Sequence, residues 1–286
     1  MRKYTLVLLF AMLSIYAHAQ VFTMPAGAFY TQISASSLQY DQAFDRTGAV
    51  VDIPASVDQL TIHWMAQYGI NSRWTVRAAV PYSIIRSTVR SDVSMLPYYL
   101  ESGSLTSFGN VEAGVFYKMI DDKPFVTLSF FTSANTAALN YYTGLQSDYP
   151  VWHFKPGAGV GWAYDKSWLT FYVGADIFTG DYSTAFLSEI EAGYKPFPFM
   201  YIAADIYVRR SLDNGEACDC TMQYTSLYLN DMEYLSLAAK AGYTYNQFGL
   251  NLGLNTAVSA SNAPATLVAT VGLQYKFEKA AAEVGE

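Results

Sequence analysis

In Leu250-Asn251-Leu252-Gly253-Leu254 every second residue is aliphatic, and the residues between are small or polar. The same alternation runs through Leu267, Ala269, Val271 and Leu273, and through Phe171, Val173, Ala175 and Ile177. A period of two places alternate side chains on opposite faces, so these segments are strands with one apolar face. About twelve such segments can be marked, near residues 27–37, 57–70, 74–85, 106–120, 125–133, 151–164, 168–179, 185–195, 200–209, 234–245, 248–257 and 265–277. Most approach the length of a tilted membrane-crossing strand, about 9–11 residues.

Composition makes the alternation decisive. Charged residues are only 14% of the chain, aromatic residues are 16%, and there are 24 Tyr. Typical soluble domains carry about 25% charge. Beyond the first twenty residues no apolar run approaches the roughly 18 residues of a membrane helix. So apolar a chain without such runs must carry its apolar surface on strands.

The connections between strands alternate in length. Asn71-Ser72, Asp121-Asp122-Lys123-Pro124, Asp165-Lys166-Ser167, Pro196-Phe197-Pro198 and Asn246-Gln247 are tight turns. Between them lie longer polar links over 41–56, 86–105, 134–150, 180–184, 210–233 and 258–264. An up-and-down barrel gathers the tight turns at one end and the long loops at the other, as outer-membrane barrels do. Tyr68, Trp74, Trp162, Tyr164, Tyr243, Tyr245, Tyr275 and Phe277 crowd the tight-turn end. A girdle of amphipathic rings suits the boundary between lipid and water, whereas a soluble barrel has no reason to band them at one height. The expected fold is therefore all-β: a transmembrane, up-and-down antiparallel barrel of about twelve strands. Short periplasmic turns and long extracellular loops complete it.

Residues 1–19 have the order of an export signal: Arg2 and Lys3, an apolar stretch, then Ala17-His18-Ala19 as a small-x-small cleavage site. Position 20 is Gln rather than Cys, so no lipid anchor is expected. The organisation reads as signal peptide 1–19, barrel 20–277 and periplasmic tail 278–286, with the cell outer membrane as destination. Only a handful of residues separate Gln20 from Gly27. That is too few for a plug domain, so passage is expected to be passive. The formal charge is −7, and it falls by two more when Arg2 and Lys3 leave. No basic patch meets phosphates, which excludes nucleic acid as a partner.

Gln67-Tyr68-Gly69-Ile70, a short turn, and a strand closing on Val80-Pro81-Tyr82 resemble the meta-pathway phenol degradation family of outer-membrane transporters. That family shows a Gly-Asp before a following strand; here Phe108-Gly109-Asn110 stands in its place, with Asn for the acid. The resemblance covers about a third of the chain. It implies a barrel and, as cargo, an aromatic or hydrophobic solute. It also implies an aromatic residue at the C-terminal end; here Phe277 lies nine residues inside the chain end.

With the apolar face outward, the opposite face lines a lumen. A mid-height layer is expected to hold His63, Glu112, Glu189, Glu191, Asp205 and Lys240. Lys155, Asp176 and Arg209 would lie nearer the loops, and Arg77 nearer the turns. This is either a constriction favouring neutral or cationic solutes or a charge network that neutralises itself and braces the wall. Pro81 and Pro156 each remove a ladder donor, which marks a bulge, a strand end or a gap in the wall.

Cys218 and Cys220 lie in the longest loop among acids. A strained local disulfide, an intermolecular one and a pair of roleless thiols are all open; metal capture is disfavoured because exposed thiols outside the cell tend to oxidise. No metal or cofactor motif is present. His63 and His153 are the only histidines beyond the signal, and both are expected to face inward. A lipid-cleaving pair would have to face outward, and His153 beside Asp148 is a weak hint of a rim peptidase, so an enzyme is not expected. The chain reads as a monomeric outer-membrane channel or passive transporter for a small-molecule solute, with lipid around it. A non-conducting structural or surface-interaction barrel is the alternative.

Overall fold

The computed structural model describes residues 21–90, 100–217 and 220–277, and of Cys220 only the backbone. The expected signal, the tail and the Cys218–Cys220 pair thus lie outside the described residues. Twelve antiparallel strands close on themselves. They are β1 Phe29–Phe44, β2 Val50–Gly69, β3 Trp74–Val89, β4 in two segments, Gly103–Phe108 and Val111–Ile120, β5 Phe125–Ala134 and β6 His153–Ala163. The circuit continues with β7 Ser167–Phe178, β8 Ala185–Phe197, β9 Met200–Ser211, β10 Glu233–Tyr245, β11 Phe248–Ser261 and β12 Leu267–Phe277. Each strand pairs with its sequence neighbour, and β1 pairs with β12 from Phe29↔Phe277 to Ser37↔Ala269. Closure leaves no sheet edge. Among the described residues no helix is long and apolar enough to cross a membrane.

The turns follow from local chemistry. Asn71 Oδ1 accepts the N–H groups of Arg73 and Trp74, both at 2.9 Å, and so closes the β2–β3 turn. Asn246 holds φ of 54° in the β10–β11 turn, a left-handed conformation that Asn tolerates.

The two faces differ in the expected sense. Ile33, Ile62, Trp64, Leu128, Phe130, Val173, Ile190, Leu237 and Val271 are all exposed on the outside. So wide an apolar belt is abnormal for a soluble monomer and normal against hydrocarbon. Thr75, Arg77 and Ala79 are buried inside, while Val76, Ala78 and Val80 between them are less so.

Two expectations need revision. The first long loop, 41–56, is mostly strand: β1 and β2 run on to Phe44 and Val50, leaving a short turn. Beyond the lipid the inner face becomes apolar, and Tyr40, Ala43, Ile53, Ala55 and Val57 join Ile85, Leu100, Leu145 and Leu227 in one buried cluster. The second concerns the described residues before β1, which enter the lumen. Val21 is 1% exposed, and its carbonyl accepts the Thr127 hydroxyl at 2.6 Å. Met24 donates its N–H to Thr75 Oγ1 at 2.8 Å. A Cβ on Gly69 would come within 2.0 Å of the Pro25 carbonyl, so only glycine lets this strap lie so close.

Candidate functional site

The lumen is covered at the loop end by the 134–152 and 221–232 segments. Gln146, fully buried, donates from Nε2 to the carbonyls of Leu227 and Tyr228 at 2.7 and 2.9 Å. The Tyr40 hydroxyl donates to Thr225 O at 2.6 Å, and the Tyr149 hydroxyl to Leu229 O at 3.1 Å. Asp148 sits under this cover, accepting the N–H groups of Asn110 and Tyr149. Burial raises its carboxyl above the usual carboxylate range.

Pro81 lies where β4 is interrupted. Its partners on β4 end at Phe108 on one side and resume at Glu112 on the other. The Gly109–Asn110 break is tied to the loop by Asn110 Nδ2→Tyr149 O at 2.6 Å and by the Thr136 hydroxyl on Gly109 O at 2.6 Å. Pro156 falls where the β6–β7 ladder lapses between Gly157 and Phe154. Both prolines thus mark irregular positions in the wall.

Inside, the charged residues expected at mid-height, nearer the loops and nearer the turns come together in three clusters. Glu112 receives Arg77 Nη2 at 2.5 Å and Lys155 Nζ at 2.8 Å, and the Arg77 guanidinium lies 4.0 Å over the Phe131 ring. Asp176 binds His153 Nδ1 at 2.6 Å and Arg209 Nη1 at 2.9 Å, with the His153 ring stacked on Phe178. Lys240 bridges Glu191, at 2.7 Å, and Asp205. Glu189 joins the last cluster, with an oxygen within 4.8 Å of one on Glu191 and one on Asp205. That trio has the donors for a cation, yet the Lys240 ammonium is bonded to two of its members. His63 lines the upper chamber together with Arg77, Glu112 and Lys155 of the first cluster.

His153 pairs with Asp176, whereas Asp148 holds backbone N–H groups. His153 Nε2 has no hydrogen-bond partner among the described residues.

An upper chamber of about 460 Å³ is lined by His63, Arg77, Glu112, His153, Lys155 and Arg209 among others. A lower chamber of about 470 Å³, at the tight-turn end, is lined by Phe22 and Met24 of the strap together with Tyr30, Trp168, Tyr201 and Lys240. Of the expected girdle, Tyr68, Trp74, Tyr164, Tyr243, Tyr245 and Phe277 are exposed at that end, and Trp162 and Tyr275 are partly covered. The strap and the loop cover were not visible in the strand pattern. The alternate glycines Gly157, Gly159 and Gly161 were the available signal, since a Cβ on Gly159 would lie 2.6 Å from Val21 Cγ2.

A closed twelve-stranded barrel, apolar outside and charged within, defines a transmembrane barrel of the outer-membrane type. No family model and no curated protein sequence matches the chain. Among solved structures, the COG4313 outer membrane channel from Pseudomonas putida F1 superposes with a TM-score of 0.70 at 15% identity, over 92% of this chain and 100% of that one. The CymD monoaromatic hydrocarbon channel gives 0.52 at 9% identity, over 94% and 95%. The translocator domain of the autotransporter NalP from Neisseria meningitidis gives 0.51 at 10%, over 90% and 91%. At these identities the likeness is one of fold.

Proposed function

We propose that the protein is an outer-membrane channel, a passive transporter of small molecules whose cargo is hydrophobic or aromatic. The observation that carries this reading is the pair of chambers at opposite ends of one lumen, each within the roughly 300–1,000 Å³ of small-molecule pockets. Two structural neighbours, an outer membrane channel and a monoaromatic hydrocarbon channel, support it. The ion-pair clusters brace the wall and set the polarity that a solute meets. The reading is non-enzymatic, and the channel character of the structural neighbours supports that. Uptake of a neutral aromatic solute into proteoliposomes tests the proposal.

The cover formed by the 134–152 and 221–232 segments favours a second reading, a non-conducting barrel whose loops meet ligands or other proteins. Absence of any uptake by folded protein would select it.

A further inference from the structure

The lower chamber has a lining unlike that of a plain passage. Trp168 lies flat over Gly193 and Tyr201 over Gly242, so close that a Cβ on either glycine would come within 2.0 Å of the ring. The missing side chains let both rings seat on the wall, where their centroids lie 5.8 Å apart and their planes are inclined by 67°. The tyrosine hydroxyls turn to wall residues: Tyr30 to Gln32 at 2.6 Å and Tyr201 to Asn251 at 2.9 Å. Phe22 and Met24 supply apolar surface from the strap.

The charge around this chamber is polarised. At the roof, Glu191 and Lys240 line the chamber, with Asp205 and Glu189 beside them so that the acids outnumber the lysine, and Trp168 Nε1 is committed to Glu191 at 2.7 Å. At the mouth, Lys195 and Lys276 line the chamber, and Lys195 Nζ lies 6.0 Å from the Trp168 ring centroid. An anion is repelled from the roof and attracted to the mouth. A flat ring is accepted between. We propose that the lower chamber is a binding site for aromatic carboxylates: the ring lies against Trp168 and Tyr201, and the carboxylate meets Lys195 and Lys276. This goes beyond the channel reading and does not depend on flux, so either can fail alone.

The test is equilibrium dialysis of 2-naphthoate and neutral 2-naphthol against the full mature chain in nanodiscs, with empty discs subtracted. Wild type binds naphthoate, and the Lys195→Gln/Lys276→Gln double variant binds it about tenfold more weakly, as two partly screened charges imply, while naphthol changes less than twofold. Both lysines are exposed at the mouth, so the variant keeps its fold. Heat-modifiable gel mobility checks this. Trp168→Ala weakens both probes. Naphthoate that fails to bind wild type, binds both proteins equally, or weakens only in step with naphthol overturns the proposal.

Discussion

The Thr127 hydroxyl reaches 2.6 Å to the carbonyl of Val21, and this bond ties the strap to the wall of β5 inside the lumen. Thr127→Val keeps the shape and removes the donor, leaving a buried carbonyl unpaired at a cost of about 1–3 kcal/mol. The strap then detaches more readily. Proteinase cleavage of residues 21–28 from the periplasmic side should quicken several-fold, with the barrel itself intact; unchanged cleavage would mean the bond does not hold the strap.

Lys240 is buried and bridges Glu191 and Asp205. Lys240→Met leaves two carboxylates side by side without their cation. Removing one partner of a buried ion group costs roughly 3–5 kcal/mol. Urea titration of folding into lipid vesicles should show a loss of that size, largely recovered in Lys240→Met/Glu191→Gln/Asp205→Asn. A loss under 1 kcal/mol would indicate that water reaches the cluster.

Val173 is 49% exposed on the outer face of β7, whereas Thr61 lines the upper chamber. Val173→Arg should destabilise the barrel by about 2–4 kcal/mol. Thr61→Arg should cost far less. Thr170 is a poor inner-face comparison because its methyl shares the Gly161 surface with Val21. Equal losses at positions 173 and 61 in the same titration would reverse the face assignment.

Asp148 binds its proton more tightly in the folded loop than in the unfolded chain, because burial raises its carboxyl. Its contribution to the loop cover is therefore full at pH below the ordinary carboxylate value of about 4 and is lost as pH rises through the raised one. Asp148→Asn removes this dependence. The ratio of wild-type to variant cleavage within residues 134–152 should climb from acid to neutral pH, and a flat ratio would dissociate Asp148 from the cover.

The strands were legible because lipid imposes one rule on every outward side chain. From Trp168 to Ile177 the period of two is never broken, and β7 lies where it predicts. The rule lapses above the bilayer. Ala43, Ile53 and Ala55 face inward and are apolar because loops cover them, so the pattern reads there as a loop. The charged inner face was legible as residue types but not as partners. Arg77 and Lys155, expected nearer opposite ends of the lumen, meet at Glu112. Tilted strands and long side chains displace heights counted along the chain. The strap from Val21 to Met24 has no period at all, and only its glycine counterparts in β6 betray it.

Solute flux through the purified, folded protein addresses the central claim most directly. Proteoliposomes should take up a neutral aromatic such as phenol-sized alcohols or naphthol faster than protein-free vesicles, and deletion of residues 21–25 should raise the rate by opening the lower mouth. Uptake equal to that of empty vesicles, with and without the strap, would contradict a channel and leave a closed structural barrel.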